Sequence, residues 1–104
     1  MTKNFSITLF LVTLVAAFPA AAKVITIDVN KMVYAPEKIT AQVGDVVEWN
    51  NSDIVVHDVT EKNKKWNALL PVKGKASITI KEPGTFEYYC KFHPNMKGEI
   101  VVSK

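Results

Sequence analysis

The chain has 104 residues, 48% hydrophobic, 22% charged and 10% aromatic, with one Cys, two His, no Arg and a net charge of +3. This composition suits one small folded domain. It excludes a two-domain enzyme, a disordered chain and any multi-cysteine site, whether disulfide framework, zinc finger or iron–sulfur cluster. With no arginine and no long basic stripe, the chain lacks the ordinary means of reading nucleic acid.

Residues 1–22 read as a secretory signal peptide. Lys3 supplies the positive start, residues 5–18 are mostly apolar, and Ala20-Ala21-Ala22 after Pro19 forms an A-x-A cleavage site. The apolar run is short for a bilayer span, which needs about 20 residues. Cleavage after Ala22 implies a periplasmic protein without stable membrane insertion. It leaves 82 of the 104 residues (23–104), and because the leader carries one lysine and no acid, the charge falls from +3 to +2. A domain of that size buries only about 60–65% of its unfolded surface and usually gains support from disulfides or a metal. A lone Cys in an oxidising compartment also needs protection. Both arguments direct attention to a metal.

In chain order, short runs with period-two alternation predict strands. Ile25, Ile27 and Val29 share one face of the first, and Ile39, Ala41 and Val43 share a face of the second, which ends at the Gly44-Asp45 turn. Val47 and Trp49 lie on one face of the third, and Asn50-Asn51-Ser52-Asp53 is a polar loop. Residues 54–60 are rich in β-branched side chains and predict a fourth strand. The Lys62, Lys64 and Lys65 cluster reads as a solvated loop, and residues 65–70 read as a helical turn stopped by Pro71. Ala76, Ile78 and Ile80 alternate, Glu82-Pro83-Gly84 turns the chain, and Phe86, Tyr88 and Cys90 share a face before a last strand over 99–103. About seven strands with no sustained helical period predict an all-β, single-domain sandwich.

The stretch Cys90-Lys91-Phe92-His93-Pro94-Asn95-Met96 places a thiol, an imidazole and a thioether within seven residues, spaced C-x-x-H-x-x-M. The second histidine, His57, stands upstream on another strand. Two His, one Cys and a weak axial Met are the donor set of a blue-copper electron-transfer site. The spacing has a physical reason. A thiol at the core-facing end of a strand, followed by a tight turn stiffened by Pro94, presents His93 and Met96 to one point, and His57 completes the set from a neighbouring strand. Each residue alone has an ordinary packing role. The joint use of the only Cys and both His, in an exported β-rich chain, points to the metal.

At these residues the sequence resembles the cupredoxins, and within them it is most similar to the amicyanins. The resemblance runs from Met32-Val33-Tyr34-Ala35-Pro36-Glu37 and residues 39–49 to residues 83–90 and 96–102, and the short C-x-x-H-x-x-M loop is of amicyanin length. It implies a Greek-key β-sandwich binding one Cu(I)/Cu(II) ion. Carried over by position, His57, Cys90 and His93 are the equatorial ligands and Met96 is the axial one. It further implies a shuttle of single electrons between redox proteins, with a dehydrogenase as donor and a c-type cytochrome as acceptor; a monomer that is not an enzyme is the default expectation.

Two positions depart from the pattern. Asp58 stands where the family usually has Asn, and Lys91 where it has a small polar residue. The expectation is a charge-assisted bond between them in place of a neutral one. His93 is expected to face solvent, with Phe92, Pro94 and Met96 as an apolar docking patch, and the lysines at 62, 64 and 65 as a steering surface for an acidic partner. A periplasmic copper carrier with the same ligands is the alternative function. A Cys–His hydrolase is disfavoured by the lack of an oxyanion-hole motif and of room for a substrate cleft.

Overall fold

The structure, a computed structural model, describes residues 22–104, so the signal peptide expected at 1–22 lies outside the described residues except for Ala22. Nine strands follow in order: β1 (Val24–Asn30), β2 (Val33–Ala35), β3 (Lys38–Gln42), β4 (Val46–Asn51), β5 (His57–Glu61), β6 (Asn67–Leu70), β7 (Lys75–Thr79), β8 (Gly84–Tyr89) and β9 (Lys97–Ser103). They form a four-stranded sheet, β2-β1-β4-β7, and a five-stranded sheet, β3-β9-β8-β5-β6. The β1–β4 and β3–β9 pairs are parallel and the remaining neighbours antiparallel. The all-β sandwich expected from alternation is the observed fold. No helix among the described residues is long and apolar enough to cross a membrane.

Alternation explains the core. Ile27, Val29, Val47 and Trp49 from one sheet are buried with Ile39, Ala41, Val59, Phe86, Tyr88, Ile100 and Val102 from the other, as strands that hide one face require. Tyr34, Tyr88 and Trp49 form a T-shaped stack at 4.8 and 5.4 Å, and the Trp49 indole N–H donates to the Tyr88 phenol oxygen at 3.2 Å. Phenols buried this way titrate well above the usual tyrosine range, because desolvation opposes the phenolate.

Three expectations are corrected. Among the described residues the strands number nine, because β2 and β6 are too short to carry an alternation signal. The helical turn expected over 65–70 is instead strand β6, an edge strand that extends the sheet beside β5 by pairing His57 with Leu70 and Thr60 with Asn67. Residues 54–56 are not strand. They form an exposed loop before β5, with Ile54 82% exposed. Their β-branched side chains suit a strand, but β5 finds its partners only from His57 onward.

Candidate metal centre

Four segments meet at one end of the sandwich: the β1–β2 turn, the β4–β5 loop, the start of β5 and the β8–β9 loop. The C-x-x-H-x-x-M spacing there is that of two consecutive turns. The His93 N–H donates to the Cys90 carbonyl at 3.2 Å, and the Met96 N–H donates to the His93 carbonyl at 2.9 Å. Each span of three residues is thus one i to i+3 turn, so a chemically useful side chain follows every turn. The Cys90 N–H closes the loop onto the Met96 carbonyl at 3.2 Å.

The loop brings together what the sequence separates by 33 residues. Cys90 Sγ lies 3.8 Å from His57 Nδ1 and 3.8 Å from His93 Nδ1, and the two Nδ1 atoms are 3.2 Å apart. His57 and Cys90 are fully buried and His93 is half-buried. These three residues form a metal-compatible group, their donor atoms all within 4.8 Å of one another. The circumcentre of this triangle is about 2.1 Å from each atom, and metal–imidazole and metal–thiolate bonds run about 2.0–2.3 Å. The donor set therefore fits a single ion. Met96 is buried as well, directly after the turn that carries His93.

The surroundings organise the donors. Asp53 Oδ2 accepts a hydrogen bond from His57 Nε2 at 2.8 Å, which assigns the ring proton to Nε2 and leaves the Nδ1 lone pair facing Cys90 and His93. The same carboxylate accepts the N–H groups of Lys31 at 2.7 Å and Met32 at 3.0 Å, two successive residues at positive φ in the β1–β2 turn. Burial alone would raise the Asp53 carboxyl. The bonds from Met32, His57 and Lys31 outweigh it and hold the group below its ordinary value. Asn51 shapes the loop between. Its side-chain amide donates to the Val55, Leu70 and Pro71 carbonyls at 2.9, 3.4 and 3.1 Å, and its Oδ1 accepts the Asp53 N–H at 2.9 Å.

Sequence reasoning passed over Asn51 and Asp53 as loop polarity. The signal available was an acid four residues before a candidate ligand His. The Asp58–Lys91 expectation is met in two ways: Asp58 Oδ1 accepts the Lys91 backbone N–H at 2.7 Å, and Lys91 Nζ lies 3.7 Å from Oδ2. The expected apolar patch is altered. Phe92 is 51% exposed and Pro94 is exposed, but Met96 is in the core, because the second turn folds it inward. The exposed side chains of Ile54, Val55, Val56 and Met32 lie in the segments that meet at this end. Of the lysines at 62, 64 and 65, Lys62 pairs with Glu87 at 3.2 Å, Lys65 pairs with Glu82 at 2.7 Å, and Lys64 donates to the Tyr89 phenol.

A two-sheet β-sandwich with a buried His and Cys and a half-buried His at one end defines a cupredoxin-like protein. The family model described as the cupredoxin-like domain matches residues 4–102, and the chain belongs to that family. It is 33% identical over 94 residues to amicyanin from Paracoccus denitrificans, a match covering 84% of this chain and 71% of the relative. Among solved structures, a variant of amicyanin with Cu(I) is 29% identical with a TM-score of 0.70, covering 77% of this chain and 82% of that one. A purple cupredoxin from Nitrosopumilus maritimus is 28% identical, again with a TM-score of 0.70, covering 76% of this chain and 99% of that one.

Proposed function

We propose that the protein is an exported type 1 copper protein that carries single electrons. His57 Nδ1, Cys90 Sγ and His93 Nδ1 would hold the ion, and Met96 would add a weaker thioether donor. The observation that carries this reading is the triangle of two imidazole nitrogens and one sulfur, with edges of 3.2, 3.8 and 3.8 Å. Bound copper supplies a one-electron couple. The chain's residues supply rigidity: His57 and Cys90 are packed in the core, Asp53 holds the His57 proton away from the metal side, and turn hydrogen bonds hold His93. A site that moves little between oxidation states exchanges electrons quickly.

His93 is the proposed electron port, being the one imidazole of the pair that reaches the surface. Phe92, Pro94 and the exposed 54–56 loop give a redox partner an apolar surface to dock on. By analogy with the amicyanins, the proposed donor is a dehydrogenase and the acceptor a c-type cytochrome, in the periplasm. The working domain is 23–104, freed by cleavage after Ala22, and mass measurement of the exported protein tests that boundary. Full burial of His57 and Cys90 favours the shuttle over the copper carrier, since a carrier must release its ion to an acceptor.

The deciding measurement is an absorption spectrum of the mature protein with one equivalent of Cu(II). An intense blue thiolate-to-copper band is expected. Weak bands alone would reject Cys90 ligation in a type 1 geometry and move the carrier reading ahead.

A further inference from the structure

The side of β5 opposite His57 and Val59 carries a group that the ligand set does not use. Asp58, next to His57, is only 2% exposed, yet four donors converge on its carboxylate. Oδ1 accepts the Lys91 backbone N–H at 2.7 Å. Oδ2 accepts the Thr60 hydroxyl at 3.1 Å and the Asn67 amide at 3.3 Å, with Lys91 Nζ 3.7 Å away. Asn67 also donates to Thr60 Oγ1 at 2.6 Å, so β6 is tied into the same cluster. Meanwhile the Asp58 N–H donates to Cys90 Sγ at 3.4 Å, and its carbonyl accepts the Tyr34 phenol at 2.5 Å. One residue thus holds its own amide at the sulfur and its carboxylate at the amide that follows the sulfur.

An asparagine at position 58 would accept the Lys91 N–H equally well, but its NH₂ would face three donors. The Thr60 hydroxyl can rotate and the Asn67 amide can turn over, whereas an ammonium group has no acceptor to offer. The cluster therefore selects a carboxylate, and charge-assisted bonds to it are stronger than neutral ones.

This inference rests on the copper reading above. A cuprous ion with one thiolate carries no net charge, and a cupric ion with one thiolate carries one positive charge. A fixed anion beside Cys90 stabilises the second relative to the first, and a cation opposes it. A clamp from position 58 to the segment after Cys90 is what the cupredoxin resemblance implies; beyond it, we propose that the Asp58 carboxylate biases the centre toward the oxidised state, with the Lys91 ammonium as a partial counterweight.

Two experiments test the clamp and the bias separately. In the metal-free protein, Asp58→Ala should speed hydrogen exchange at the Lys91 amide about tenfold, the equivalent of one lost hydrogen bond, while Lys91→Met leaves it unchanged. Unchanged exchange in Asp58→Ala overturns the clamp whatever metal binds. In the copper-loaded protein, Asp58→Asn should raise the reduction potential, shifting the Cu(I) to Cu(II) ratio about tenfold at fixed ambient potential, which is about 59 mV for one electron. Lys91→Met, which keeps the backbone bond, should lower the potential by a smaller amount because the ammonium is half exposed. No shift in Asp58→Asn, or shifts of the same sign in both, overturns the bias. If Asp58→Asn does not fold, an unchanged or raised potential in Lys91→Met overturns it alone. A wild-type protein without the blue band rejects the copper reading and with it the redox bias, and the exchange experiment still decides the clamp.

Discussion

Asp53 and Gly98 occupy positions where a single side chain decides the outcome. Asp53 joins His57 to the β1–β2 turn through three hydrogen bonds, so it orients the imidazole and sets its tautomer together. Partners of this kind typically account for 10–100-fold in metal affinity. Asp53→Ala is therefore expected to weaken Cu(II) binding about 10–100-fold in a chelator competition. Gly98 acts through packing. A Cβ there would run into the Tyr88 ring and hydroxyl, and Tyr88 is locked between Trp49 and Tyr34. Gly98→Ala should cost about 1–3 kcal/mol, the usual penalty for overpacking, read as a lower denaturant midpoint.

At the scale of elements, the Cys90 to Met96 loop and strand β5 do the positioning. The loop places ligands at intervals of one turn, so its function depends on length more than on the identity of Lys91, Phe92 or Asn95. Inserting one glycine between Lys91 and Phe92 should displace His93 from the 3.8 Å contact with Cys90 and abolish the blue band. The denaturant midpoint of the metal-free form should change little, because loop lengthening costs only about 0.6 kcal/mol per doubling. Strand β5 is buried on both sides, unlike its neighbours, and the Asn67 side chain of β6 and the Lys91 backbone meet the side chains on its outer face. That cover lets Asp58 and Thr60 be polar and interior together.

Over the whole molecule, the centre sits at one end of the sandwich and the β3–β4 turn elsewhere ties both sheets to the start of the described chain. Asp45 in that turn accepts the N–H groups of Gln42 at 2.8 Å and Lys23 at 3.1 Å. These bonds hold its carboxyl below the ordinary 3.8. A carboxyl depressed in the folded state binds fewer protons there than in the unfolded chain. Its stabilisation is complete above the unfolded value and is lost as pH falls through the folded one. The metal-free protein should lose stability as pH falls below about 4, the ordinary carboxyl value, and Asp45→Asn should flatten that slope in a thermal melt series. Of the lysines expected to steer an acidic partner, Lys62 and Lys65 each lie against a glutamate, while Lys64 meets the Tyr89 phenol.

The sequence by itself determined the all-β class, most of the strand faces and the four proposed ligand positions. Period-two alternation and a three-residue ligand spacing are local properties: Phe86, Tyr88 and Cys90 share a face whatever surrounds them, and one turn separates Cys90 from His93. The Asp58–Lys91 contact was legible because both residues break the family pattern at adjacent points of one site. Strands β2 and β6 were not legible, being three and four residues long and defined only by the partners they pair with. The tertiary structure alone brought His57 to Cys90, set Asp53 against both His57 and the β1–β2 turn, and gathered Thr60, Asn67 and Lys91 around Asp58. Each of those contacts depends on register between separate segments, and register follows from the packing of the whole sandwich.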